Sequence, residues 1–137
     1  MNAPEGMQGI THALLRIMTG LMFWQHGAQK LLGMFGGVGP DGGSVSAFSW
    51  PIGIAGILEF LGGILIILGV KTRYVAFILA GQMAVAFWWR HFPSGFWPIA
   101  NGGERAVLFC FIFLFLWANG GGKWGVDDAL AKGQAGA

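Results

Sequence analysis

Residues 51–70 read PIGIAGILEFLGGILIILGV, an apolar run broken by a single charge, Glu59. A helix rises about 1.5 Å per residue, so a run of that length matches the ~30 Å hydrocarbon thickness of a bilayer. Pro51 suits a first helical turn, where its missing N–H has no intrahelical partner to lose. Three further apolar runs accompany this one, and together they set the expected fold. That fold is an all-α integral membrane protein, a four-transmembrane-helix bundle with spans at about 13–32, 51–70, 74–90 and 104–118. Gly120-Gly121-Gly122 then breaks the last helix and opens a polar tail, 119–137, with a short amphiphilic turn around Val126 to Ala131. Such a tail reads as solvated and partly mobile.

Composition supports this reading. Of 137 residues, 55% are hydrophobic and only 10% charged, against roughly 25% charged in an ordinary soluble domain. Four spans leave enough chain for connections and tails but not for a second domain, so 1–137 reads as a single membrane domain. Eight Lys and Arg give a net charge of +2, but they are scattered singly and form no patch for nucleic acid. The lone Cys110 lies inside the last apolar run. It excludes an intrachain disulfide, a Cys-x-x-Cys pair and a c-type haem attachment motif, so no cofactor reads as intrinsic to the chain. Residues 1–11 have no basic n-region and carry Glu5, unlike a cleaved signal peptide, so the first run is expected to stay in the mature protein.

With four spans both termini share a side. Lys71, Arg73, Lys123 and Lys132 fall on that side, against Lys30, Arg90 and Arg105 on the other, and this bias favours cytoplasmic termini. Trp24, Trp50, Trp88, Trp89 and Trp97 crowd the opposite, outer end, where indole rings suit the headgroup boundary.

Few residues in the spans can do chemistry. Thr19, Phe23, His26 and Lys30 recur at helical spacing and form one polar stripe that should face protein. Glu59 shares its face with Ala55, Gly56, Gly62 and Gly63, small residues that let a neighbouring helix approach. Counted from the outer ends of their helices, Glu59 lies about 12 Å deep and His26 about 9 Å. A carboxylate inside a span is costly unless paired, so Glu59 is expected to contact His26 or Lys30, or to be protonated. A structural clamp between helices and a protonatable site beside a ligand pocket both predict that contact.

At the outer end, Asn101 followed by Glu104 has capping-box spacing, and Glu104 and Arg105 lie within plausible reach of Arg90 and His91 as a charged network. Arg16 is expected to snorkel to the inner headgroups or to close the inner end of the bundle. Ala76, Ala80 and Ala84 form a ridge for packing, whereas Gln82 is too isolated to interpret. His26 and His91 with Glu59 or Glu104 suggest no metal site, since no ligand-pair spacing supports one.

The order of these features resembles the DoxX family of small four-helix inner-membrane proteins. The resemblance is carried by Arg16, by His26-Gly27-x-x-Lys30-Leu31, by Glu59-x-x-Gly62-Gly63 through Gly69 and Thr72-Arg73, by Asn101-Gly102-Gly103-Glu104, and by Gly120 to Asp127. Gly125 stands where relatives often have serine, two residues before the aspartate. The resemblance implies a multi-pass protein of a bacterial-type inner (cytoplasmic) membrane, in contact with lipid and with other membrane redox subunits, and able to form homo-oligomers. It also implies quinone as the associated cofactor. The leading expectation is an accessory subunit of a quinone-linked complex, with His26, Lys30 and Glu59 lining the buried polar site. The alternatives are an independent quinone-dependent oxidoreductase and a small transporter or proton pathway.

Overall fold

The computed structural model describes residues 5–135. Residues 1–4 of the N-terminal segment, expected to stay in the mature protein, and 136–137 of the tail lie outside the described residues.

Among the described residues six α-helices appear where four spans were expected, and no strand occurs. Helix α1 runs Glu5–Leu32, α2 Ile52–Leu68, α3 Thr72–Ala86, α4 Pro98–Asn101, α5 Glu104–Asn119 and α6 Val126–Ala135. The first helix thus starts well before residue 13. Its leading turns read as polar, but His12 Nε2 lies 3.0 Å from the Gly120 carbonyl, which ties this extension to the C-terminal segment. Helix α3 continues outward through a five-residue π-helical turn, Phe87–His91. Gly69, in the left-handed region at φ 66°, ends α2 by donating its N–H to Ile66 O.

Among the described residues no helix is both long and apolar enough to cross a membrane. Helices α2, α3 and α5 have 17, 15 and 16 residues, while the 28 residues of α1 include Arg16, His26 and Lys30.

The long helices associate as two pairs, α1 with α2 and α3 with α5, and the pairs meet chiefly through α2 and α3. Glycine sets the closeness of the first pair. A Cβ at Gly27 would stand 2.6 Å from the Phe60 Cα, and one at Gly63 would stand 2.7 Å from the Trp24 Cα. No other residue allows such an approach without separating the helices. Between the pairs, Phe23 of α1 sets its ring edge-on against Phe109 and Phe113 of α5, at centroid distances of 5.2 and 4.8 Å. Such aromatic contacts contribute about 0.5–1.5 kcal/mol each beyond burial. Ile66, Leu79, Met83 and Leu116 complete this core. Ala76 and Ala80 of the small-residue ridge are buried in it, and Ala84 is half-buried.

The C-terminal segment differs most from expectation. Rather than hanging free, residues 120–127 fold back over the inner ends of α1, α2 and α3. Asp127 accepts hydrogen bonds from the Lys71 and Thr72 N–H groups, both 2.8 Å, and its own N–H donates to Gly69 O at 2.9 Å. The carboxylate supplies acceptors for the otherwise unpaired donors at the start of α3.

Candidate functional site

At the end of the bundle that carries loops 33–50 and 92–103, a cavity of about 860 Å³ opens between the two helix pairs. Its walls are mainly apolar, and its polar groups come from helices brought together by the core below. Helix α1 contributes His26 and Lys30, α2 contributes Glu59, and α3 contributes Gln82.

Lys30 Nζ donates to Glu59 Oε2, forming an ion pair whose side chains are 19% and 6% exposed. The second carboxylate oxygen is also engaged: Gln82 Nε2 donates to Glu59 Oε1 at 3.2 Å and to the Ala55 carbonyl at 3.4 Å. Because both of these partners are acceptors, the amide must present its nitrogen to them, which fixes its orientation. Gln82 Oε1 is left buried without a protein partner. The result is a neutralised carboxylate held from three helices at the polar end of an apolar chamber. Lys30, Glu59 and the imidazole of His26 are all groups that can give or take a proton.

Among the residues expected to form the site, the structure brings Lys30 and Glu59 into contact. His26 lines the same cavity but meets the edge of the Phe109 ring, at 6.1 Å, instead of bonding Glu59. Gln82, isolated in its apolar run, joins them, and a lone amide there supports the same inference as a lone carboxylate: it needs a partner in the bundle.

The outer-end residues are distributed differently. Arg90, His91 and Arg105 line the cavity. Glu104 is exposed at the first position of α5, and the ion pairs among the described residues are Lys30 with Glu59 and Lys132 with Asp128. The charged network is therefore not formed. His91 instead places Nδ1 3.1 Å from the Asn101 carbonyl. Nor is there a capping box. Asn101 ends the short α4, and its Oδ1 accepts from Gly103 N–H two residues on, at 2.8 Å, so Glu104 starts its helix rather than sitting three residues inside it. No trio of His, Cys, Asp and Glu suited to a metal ion occurs among the described residues.

At the inner end Arg16 is completely buried. It does not snorkel; it closes the bundle. Its Nη2 donates to the Lys123 carbonyl at 3.3 Å, and its guanidinium fills a slot beside Gly69 and Gly125 where a side chain on Gly69 would collide with Nη1. Burial alone would raise the proton affinity of nearby Asp127. The Thr72 and Lys71 N–H groups and the charge of Arg16 outweigh it and hold that carboxyl below its usual range.

The family model of DoxX matches residues 11–92. The chain belongs to the DoxX family. An uncharacterized protein of Haemophilus influenzae is 38% identical to this DoxX protein over 96% of its chain and 99% of that relative. The membrane protein Rv3486 of Mycobacterium tuberculosis is 26% identical, covering 86% of this chain and 80% of its own. A Bacillus subtilis protein named "Putative oxidoreductase CatD" is 36% identical over 49% of each chain. No solved structure matches the chain significantly. Sequence kinship makes this a membrane protein of the DoxX family, helical with no strand among the described residues.

Proposed function

We propose that this DoxX protein is a four-span subunit of an inner-membrane, quinone-linked redox assembly, and that the cavity receives the quinone head beside Lys30, Glu59 and Gln82. The observation that carries this reading is the Lys30–Glu59–Gln82 group at the polar end of an apolar chamber of about 860 Å³. That chamber has the size and mixed lining of a small-molecule site. The ion pair offers a donor and an acceptor to carbonyl and hydroxyl groups, and Glu59 or His26 can exchange the protons that accompany quinone reduction.

Four spans are supported by the outer surface as well. Leu61, Phe77, Leu108 and Phe111 are exposed on α2, α3 and α5, a distribution that suits lipid and not water. The π-helical turn extends α3 to residue 91, bringing its length to about 30 Å. Shorter α2 and α5 are accommodated by local thinning of the bilayer and by their flanking aromatic residues.

The sequence has no Cys-x-x-Cys or haem motif, so electrons would reach a bound quinone from a partner subunit. The reading is therefore of an accessory role. Purification from native membranes tests it: larger redox subunits should copurify, and a lone homo-oligomer that binds no quinone would refute it. The resemblance of half the chain to CatD supports a second reading, independent quinone-dependent oxidoreduction. In that case the purified chain alone turns over quinone and Glu59→Gln abolishes the turnover.

A further inference from the structure

We propose that the cavity is entered from within the bilayer, sideways between α2 and α3, by a lipophile with one polar head and a long apolar tail. Gly81 keeps this portal open. The inference rests on the quinone-binding reading and adds to it a route and a class of ligand.

The gap arises from the way the helix pairs meet. At Gly62 the two helices touch: an added Cβ there would lie 2.8 Å from Leu79 Cδ2, so no passage exists at that level. Further outward the contact passes to the Gln82 side chain, which reaches the Glu59 carboxylate and the Ala55 carbonyl of α2. A Cβ at Gly81 would meet nothing within 4 Å, although this glycine lines the cavity.

The α3 residues that line the cavity are Ile78, Gly81, Gln82, Met83, Val85 and Ala86, and Trp89 of the π-helical turn continues them. Apart from the buried Met83, they are spaced by three and one and form a single helical stripe. Within it Ile78, Val85 and Trp89 are 56%, 54% and 56% exposed, so the same side chains border the chamber and the outside. The wall is therefore open on that side. Across the gap stand Ile54 and Leu58 of α2, both apolar and half-buried.

Polarity is graded along this route. The portal is framed by aliphatic side chains and Gly81, whereas Gln82, the next residue, is bonded to Glu59 at the polar end. A molecule that matches both ends has a head that hydrogen-bonds and a tail that can remain in lipid. A small polar solute would have no use for an aliphatic lateral gap and would be matched instead by the charged lining residues Arg90 and Arg105.

The test uses the full chain in lipid nanodiscs and two probes with the same ring: a benzoquinone with a ten-carbon tail and its tail-less counterpart. Binding is followed by quenching of tryptophan fluorescence, since Trp50 and Trp89 border the chamber. Gly81→Leu should fold, because the site is spacious and leucine has the higher helix propensity. It should weaken binding of the tailed probe by about tenfold or more, equivalent to about 1.4 kcal/mol, and leave the tail-less probe essentially unchanged. Val85→Trp, which narrows the same gap from its outer rim, should do likewise. If both variants leave the tailed probe unaffected, or weaken both probes equally, the lateral portal is wrong while quinone binding stands. If the wild-type protein binds neither probe, the quinone reading itself is overturned.

Discussion

Replacing Lys30 by methionine removes the cation from Glu59 and leaves that carboxylate, 6% exposed, with the Gln82 amide as its remaining side-chain partner. Removing one member of a buried pair costs about 3–5 kcal/mol. Two features place this pair at the lower end. Lys30 is 19% exposed, so its surroundings are not wholly dry. The unpaired carboxylate can also take up a proton, which for an ordinary glutamate at pH 7 costs about 4 kcal/mol and so limits the loss. A destabilisation of about 3 kcal/mol is expected for Lys30→Met. Lys30→Met combined with Glu59→Leu should recover most of it, because apolar replacements of similar volume remove the desolvation cost of both charges. Reversible unfolding of the four proteins of this cycle in detergent measures the coupling, and quinone binding by the same proteins separates architecture from chemistry. The double variant should be stable and should not bind. A Lys30→Met protein within about 0.5 kcal/mol of wild type would refute the claim that burial makes this pair matter.

Gly27→Ala should push α1 away from Phe60 and lower stability by about 1–3 kcal/mol, the range of overpacking, read as a fall in Tm, whereas Gly81→Ala should not. Gln82→Leu removes the donor to Glu59 Oε1 and should cost about 1–3 kcal/mol, with quinone affinity reduced in the same preparation. Asp127→Ala should loosen the inner end by about 1 kcal/mol, seen as faster hydrogen exchange at the Lys71 and Thr72 amides. In the wild type the pH sign is fixed by the lowered proton affinity of Asp127: its contribution is present above the ordinary aspartate range and is lost only as pH falls through the lowered value. Exchange at those two amides should therefore be insensitive to this group near neutrality and accelerate in acid, beyond the change in intrinsic exchange.

The apolar runs made the four long helices legible, since a stretch such as residues 51–70 has few other ways to satisfy its backbone in lipid. What failed were features set by contacts distant in sequence. The turns from Glu5 look too polar for a span, yet they are helical and α1 docks there on the C-terminal segment through His12. Asp127 looked like a solvated tail residue because nothing nearby in sequence shows that it caps α3 across more than fifty positions. Depth counting brought Glu59 level with the end of α1 but could not choose between His26 and Lys30. The longer, charged side chain reaches the carboxylate, and His26 turns to Phe109. Gln82 was a missed opportunity rather than a hidden one, since its isolation in an apolar stretch was itself the clue.

The division into two helix pairs also bears on how the molecule assembles. Each pair is a hairpin that can close before it meets the other, and the chamber exists only once they have docked. A ligand bound there stabilises the docked arrangement over its separated halves, by an amount that grows with the logarithm of its concentration over Kd. An empty chamber leaves the joint to the aromatic core, the α2–α3 seam and the Asp127 clasp on the short Gly69-Val70-Lys71 connection. Occupancy would thus act as a late fastener, and chains in which the proposed lipophile is absent should part first along that seam.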